Sequence, residues 1–498
     1  MKINYLGHSE FLVEIENNLW KKINILCDTW LSDYVFWDMM ERYPKIEIDY
    51  SKLKIDIIFL SHSHSDHLDP YTLVKIYENI TPRPLLLIPE TLEFLIPLFK
   101  KNLPKQKIEI LKNNKTFNFE WIDITWIIFE NDYLTNEDDV MTIAISNDTE
   151  LLYSDVDTVP PENEESIELI YNLFTSKNFK QALYLSTRNE LPWNFKIIWA
   201  NSSKQRQDIE KDYLEERIWE IEYNYYRFEE DFPASSDIQE LPYFMKWLIG
   251  QWIVHPNPDF LALRILKLEQ ESEIEKKIAK KYNKNFPISH FIPWKTYEIK
   301  NRKFEIISQI DFLKNVQIND PQTNLESEVF MKYLSWPVDE RVWNHKAQEQ
   351  KIIDMLNLKF LPYMLWNSED NLKNAILNSK NHKYVVKIRY GNSNEFFERN
   401  YFFWFWSFKF EEERGRHEDY NEDYWANDLE DFLDWFQELY TNFWHTLKPK
   451  KTYRVWTMLW ANFINNDIIY KKYDLHFKRA FLWKDSLSFI PKKIKDLI

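Results

Sequence analysis

Six consecutive residues, His62-Ser63-His64-Ser65-Asp66-His67, constrain this chain more than any other feature. They follow an apolar run, Ile55–Leu60, and precede Asp69-Pro70, an N-cap and first-turn pair that predicts a helix over Pro70–Asn79. The six therefore occupy a strand-to-helix loop. Residues two apart in an extended segment point the same way, so His62 and His64 present ring nitrogens to one ion, while Asp66 and His67, past the bend, reach a second. A lone histidine is more often a satisfied core or surface group than a ligand. Three of the chain's eleven within six residues, with a carboxylate among them, argue for metal.

Composition removes whole classes of chemistry. Only 4 of 498 residues are glycine (Gly7, Gly250, Gly391 and Gly415), and no two are close, so neither a Walker-type phosphate loop nor a G-x-G-x-x-G dinucleotide turn exists. The single cysteine, Cys27, excludes an internal disulfide, a C-x-x-C pair, a cysteine-held zinc site and a protein-bound iron–sulfur cluster, and points to a reducing compartment. The N-terminal stretch lacks a signal-peptide layout, and the most apolar segment, Leu85–Phe99, is broken by Pro89, Glu90, Glu93 and Pro97. A cytoplasmic protein with no membrane partner is expected. A net charge of −16 repels nucleic acid, so a small-molecule substrate is the expected partner.

Short apolar runs alternate with helical spacing from Met1 to about residue 201. Strands are expected at Phe11–Ile15, Ile23–Cys27, Ile55–Leu60, Leu85–Ile88, Ile122–Phe129, Met141–Ile145, Leu151–Tyr153, Ala182–Leu185 and Ile197–Ala200. Helices are expected at Pro70–Asn79, Glu90–Lys101, Glu162–Phe174 and Asp208–Glu230. This is an α/β (α+β) pattern. Pro233 and the polar stretch Ala234–Asp237 mark a boundary, giving a metal-binding domain over 1–232 and an aromatic-rich, mainly helical α+β accessory domain over 233–498. In the second, a helix over Tyr424–Leu447 and a hairpin of His382–Tyr390 with Phe396–Phe410 are expected.

The string His62-x-His64-x-Asp66-His67 resembles the signature of the metallo-β-lactamase fold superfamily. Its flanks, Gly7-His8-Ser9-Glu10-Phe11-Leu12-Val13-Glu14 and Ile25-Leu26-Cys27-Asp28-Thr29-Trp30-Leu31, are similar to the ascorbate-phosphate-lactonase-like branch, with Thr29 where proline is usual. Ser61–Leu68 with Tyr71-Thr72-Leu73 resembles the lactamase-like part of CMP-N-acetylneuraminate hydroxylase-like proteins. The likeness covers residues 1 to about 200. It implies a four-layer αββα sandwich with His62 and His64 on a first metal, Asp66 and His67 on a second, and a bridging aspartate at Asp157, with Asp155 as fallback. It also implies one further histidine for each metal, yet none occurs from 68 to 254. His255 lies beyond the boundary, and Asp132 and Asp139, in the acidic run where one family histidine belongs, are the candidate substitutes.

The function these residues imply is a metal-dependent hydrolase: one or two divalent ions, zinc first and iron or manganese next, lower the pKa of coordinated water toward ~7 for attack on an ester, lactone or phosphodiester. Asp66 would orient the resulting hydroxide. The alternatives are an iron-dependent, sialate-hydroxylase-like oxygenase needing an external electron-donor protein, and a degenerate lactamase-fold binding protein.

Overall fold

The computed structural model describes residues 1–128 with short breaks at 33, 36–39 and 43–45, most of 141–188, parts of 204–222, and the later segments 244–250, 253–254, 261–262, 268–282, 288–314 (with breaks), 345–367, 383–391, 396–404, 409–413, 422–433 and 466–483. The expected strand Ile197–Ala200, and Asp132, Asp139, Asp155, Asp157 and His255, lie outside the described residues.

Two sheets face each other. The first has eight strands in the order Lys303–Gln309, Lys295–Lys300, β1 (Lys2–Gly7), β2 (Glu10–Glu16), β3 (Lys22–Cys27), Ile57–Phe59, Leu85–Pro89 and Ile108–Leu111. From β3 outward its strands run parallel. The second has seven, in the order Lys115–Phe119, Ile122–Ile128, Met141–Ser146, Glu150–Ser154, Gln181–Arg188, Phe244–Gly250 and Ile288–His290.

Period-two alternation builds the layers. Ile3, Tyr5, Phe11, Val13, Ile15, Ile23, Ile25 and Cys27 point into the space between the sheets, where they meet Ile124, Trp126, Ile143, Ile145 and Leu183. Their alternates Leu12, Leu26 and Ile58 point outward and pack under α1 (Pro70–Asn79) and α2 (Ile96–Asn102). On the far side, Ala144, Leu151 and Tyr153 pack under α3 (Glu164–Thr175) through Ile170 and Phe174. These strands are covered on both faces, which is why they read as unbroken apolar runs rather than alternating ones. The result is helix, sheet, sheet, helix.

Strands beyond residue 232 complete both sheets, so the sandwich draws on the chain as far as Gln309. The division expected at 232 belongs to the sequence pattern, where Pro233 and its polar neighbours look like a linker. A separate four-stranded sheet contains the expected hairpin, Lys383–Gly391 with Phe396–Trp404, flanked by Lys409–Glu413 and Glu422–Trp425. Tyr424 and Trp425 therefore lie in a strand, paired parallel with Ile388 and Arg389, and the helix begins only at Ala426. The apolar spacing that suggested one helix from Tyr424 spans that junction. Farther along, a helix over Asn466–Trp483 returns to the first sheet and packs Tyr473, Phe477 and Ala480 against the layer containing α1 and α2. Among the described residues no helix is long and apolar enough to cross a membrane.

Candidate metal centre

The loop 61–69 leaves the strand Ile57–Phe59 at the edge of the sandwich and is closed by α1. Asp69 caps that helix, accepting from the backbone N–H of Tyr71 (3.0 Å) and Thr72 (3.3 Å), with Pro70 in the first turn. Within the loop, the N–H groups of His67 and Leu68 both donate to the His64 carbonyl, at 3.0 and 2.8 Å. These bonds make the tight bend that turns Asp66 and His67 back toward β1.

Asp28, at the end of β3, organises the loop. It accepts from the Ser61 N–H at 2.7 Å and the Ser61 hydroxyl at 2.8 Å, and lies 2.7 Å from His67 Nδ1. A carboxylate only accepts, so Nδ1 of His67 carries the proton and Nε2 keeps its lone pair. Ser61 relays the same instruction. Its hydroxyl proton goes to Asp28, so its oxygen accepts from His62 Nδ1 at 2.8 Å, which leaves His62 Nε2 bare as well. That nitrogen stands 2.8 Å from His64 Nδ1. The rings of His62 and His67 have centroids 4.0 Å apart.

Thr29 fastens the other end. Its N–H and hydroxyl donate to the His67 carbonyl at 2.8 and 3.0 Å, while its oxygen accepts from the Asp69 N–H at 2.9 Å. A proline here would supply neither donor.

His8 completes the site from the turn between β1 and β2. A bulge after Tyr5 and positive φ at Gly7 (95°) and His8 (53°) swing its ring under the loop. Asp28 also holds positive φ, 60°. Non-glycine residues in this region carry strain that the surrounding structure must hold in place, and such strain clusters at functional sites. His8 Nε2 donates to Asp66 Oδ2 at 2.8 Å. Its Nδ1 and the other Asp66 oxygen, Oδ1, are buried without a hydrogen-bond partner among the described residues. Donor atoms of His8, Asp66 and His67 all lie within 4.8 Å of one another.

Electrostatics keep these groups in ligand form. Burial, and then the neighbouring His67, His64 and His8, push the His62 imidazole well below its ordinary range, so it is neutral at neutral pH. Burial would raise the Asp66 carboxyl, but its electrostatic interaction with the adjacent His67 and the hydrogen bond from His8 outweigh it and hold it well below the usual carboxylate range. Neutral imidazole and ionised carboxylate are the donors a divalent ion of borderline softness takes. The orphaned His8 Nδ1 and Asp66 Oδ1 fit such an ion.

Of the residues singled out from sequence, the structure brings together His62 with His64, and Asp66 with His67. Sequence reasoning did not single out His8 as a candidate ligand, although Gly7-His8 was conspicuous. One of only four glycines immediately before a histidine was the available signal.

A helix–sheet–sheet–helix sandwich with an H-x-H-x-D-H loop at a strand-to-helix junction decides the fold. The fold is that of the metallo-β-lactamase superfamily. No protein-family model matches the chain. A UPF0173 metal-dependent hydrolase of Thermofilum pendens is 37% identical over 67 residues, 14% of this chain and 26% of the relative. A Mycolicibacterium smegmatis protein, provisionally named a Rieske 2Fe-2S iron–sulfur protein, is 26% identical over 106 residues, 21% of this chain and 18% of that one. The chain thus spans about a quarter or less of the length of these curated relatives. Among solved structures, the metallo-β-lactamase fold protein YhfI from Bacillus subtilis is similar with TM-score 0.32 and 12% identity, covering 60% of this chain and 99% of that one. CmlA, a diiron β-hydroxylase from Streptomyces venezuelae, gives 0.34 and 10%, covering 58% and 52%.

Proposed function

We propose that this metallo-β-lactamase-fold chain is a metal-dependent hydrolase of small ester, lactone or phosphodiester substrates, with His62, His64, Asp66, His67 and His8 as its metal-holding set. The observation that carries the reading is the buried convergence of His8, Asp66 and His67 beside the His62–His64 pair. His8 supplies an imidazole where the family's further histidines are missing from the sequence. A divalent ion in such a site supplies Lewis acidity and makes bound water acidic enough to ionise near neutral pH. The chain's own residues do the rest. Asp28 fixes the tautomers of His67 and, through Ser61, of His62. His8 orients Asp66, whose ionised carboxylate accepts a hydrogen bond from the attacking water and holds it in line. Asp157, Asp155, Asp132 and Asp139 stay as further ligands proposed from the sequence.

A second reading has its own support. Two histidines and one carboxylate, here His8, His67 and Asp66, form the donor set of iron-dependent oxygen chemistry. With Cys27 the sole cysteine, its electrons would come from a separate donor protein.

Elemental analysis of full-length protein purified without chelator, alongside hydrolysis of a lactone, ester and phosphodiester panel, tests both. One or two divalent ions per chain are expected, lost together with turnover in the His64→Ala, Asp66→Ala double variant and depleted in His8→Ala. Full metal content and turnover in the double variant would reject the assignment. Zinc without oxygen uptake under any reductant removes the oxygenase reading; iron with reductant-dependent uptake replaces the hydrolase reading by it.

A further inference from the structure

The helix Asn466–Trp483 reaches the metal loop from the far end of the sequence. It is anchored on both outer helices: Phe477 meets Phe99 of α2 edge to face with centroids 6.1 Å apart, His476 meets Tyr71 of α1 at 6.1 Å, and Lys101 donates to Asp474 at 2.6 Å. Between these anchors the buried Tyr473 sends its hydroxyl to the backbone carbonyl of Ser63 at 2.5 Å. Ser63 is the residue between His62 and His64.

Its carbonyl belongs to the peptide plane that joins Ser63 to His64. Ser63 and His64 lie at a bend, and two side chains one residue apart keep a common point there only if the peptide planes between them do not rock. A hydrogen bond to that carbonyl fixes the 63–64 plane, and hence the direction in which the His64 ring leaves the chain. Elsewhere in the loop the His64 carbonyl is held by the His67 and Leu68 N–H groups, and the His67 carbonyl by Thr29. Tyr473 supplies the hold on the first half of the motif.

We infer that Tyr473 is a positioning residue of the metal centre, a latch through which the helix 466–483 sets the bite of the His62–His64 pair. The inference rests on the metal reading above. Tyr473→Phe in the full chain removes the hydroxyl and keeps the ring. Phe477→Leu perturbs the packing of the same helix without touching the loop. Two quantities are read: amide hydrogen exchange at residues 63–68 in metal-free protein, and the zinc dissociation constant by chelator competition. Tyr473→Phe is expected to speed exchange in the loop and weaken zinc by roughly tenfold or more, the usual consequence of losing a residue that orients a ligand. Phe477→Leu should leave the zinc constant within twofold of wild type. Unchanged exchange and zinc binding in Tyr473→Phe, or equal weakening in Phe477→Leu, overturns the latch. Should Tyr473→Phe fail to fold, 3-fluorotyrosine at 473, a stronger donor, must slow exchange and tighten zinc, and no change there overturns it too. Wild-type protein that takes up no zinc or other divalent ion removes the proposed function, while the exchange rates still decide whether Tyr473 holds the loop.

Discussion

Asp28 lies 2.7 Å from Nδ1 of His67, while the opposite nitrogen of the same ring faces Asp66 at 3.8 Å. One carboxylate outside the candidate metal cluster thus dictates which nitrogen of His67 carries the proton, and through Ser61 it does the same for His62.

Asp28→Asn tests this relay. The amide oxygen can still accept from the Ser61 N–H, but its NH2 then meets His67 Nδ1, which must give up its proton to Nε2. Metal affinity should fall about 10–100-fold with the fold intact, the range seen for lost outer-shell partners. Nitrogen chemical shifts of the imidazoles should report the exchanged tautomer of His67. Unchanged shifts and affinity would mean that Asp28 merely fills space.

Thr29→Val keeps shape and removes an oxygen. The Asp69 N–H, buried at the cap of α1, loses its acceptor, and the His67 carbonyl loses one of two donors. Leaving a buried donor unsatisfied costs on the order of 1–3 kcal/mol. The urea midpoint should drop accordingly, with no change in the denaturant slope. A neutral result would show that water substitutes for the hydroxyl.

Acid should weaken the attachment of the helix 466–483. Burial alone would raise Asp474, yet its hydrogen bonds to Lys101 and Lys478 prevail and hold it below the ordinary carboxylate value. A depressed folded-state pKa adds stability that is fully present above the unfolded value of about 3.9 and disappears as pH falls through the lower folded value. Wild type should therefore exceed Asp474→Asn in urea midpoint at pH 6, by a small margin because both lysine partners are about half exposed to solvent, and the two should converge near pH 2. A constant difference across that range would remove the ion pairs as its source.

Much of the sandwich was legible because its strands are apolar on both faces and its best helix carries its own punctuation, Asp69-Pro70. Pro70–Asn79 is helical over the span its spacing predicts. The stretch Glu90–Lys101 was expected as one helix but begins as a 3-10 turn over Glu90–Leu95, where no side chain caps it. Lys115–Phe119 and Lys295–Gln309 escaped notice because most of their residues are charged or polar, as suits strands at a sheet's margin. In the site, the cluster 62–67 declares itself by proximity in sequence. His8, Asp28, Thr29 and Tyr473 do not, because each is brought to the loop by strand pairing or helix docking across 38 to 410 residues. Periodicity carries no record of such distances.

The span from Ser63 to Tyr473 also sets an order of events in the cell. A ribosome releases the histidine loop, both its supporting strands and most of the sandwich before it makes the helix that braces them. On the latch inferred above, the nascent protein holds a half-secured set of imidazoles during that interval, and cation loading at full strength waits until that helix has been made.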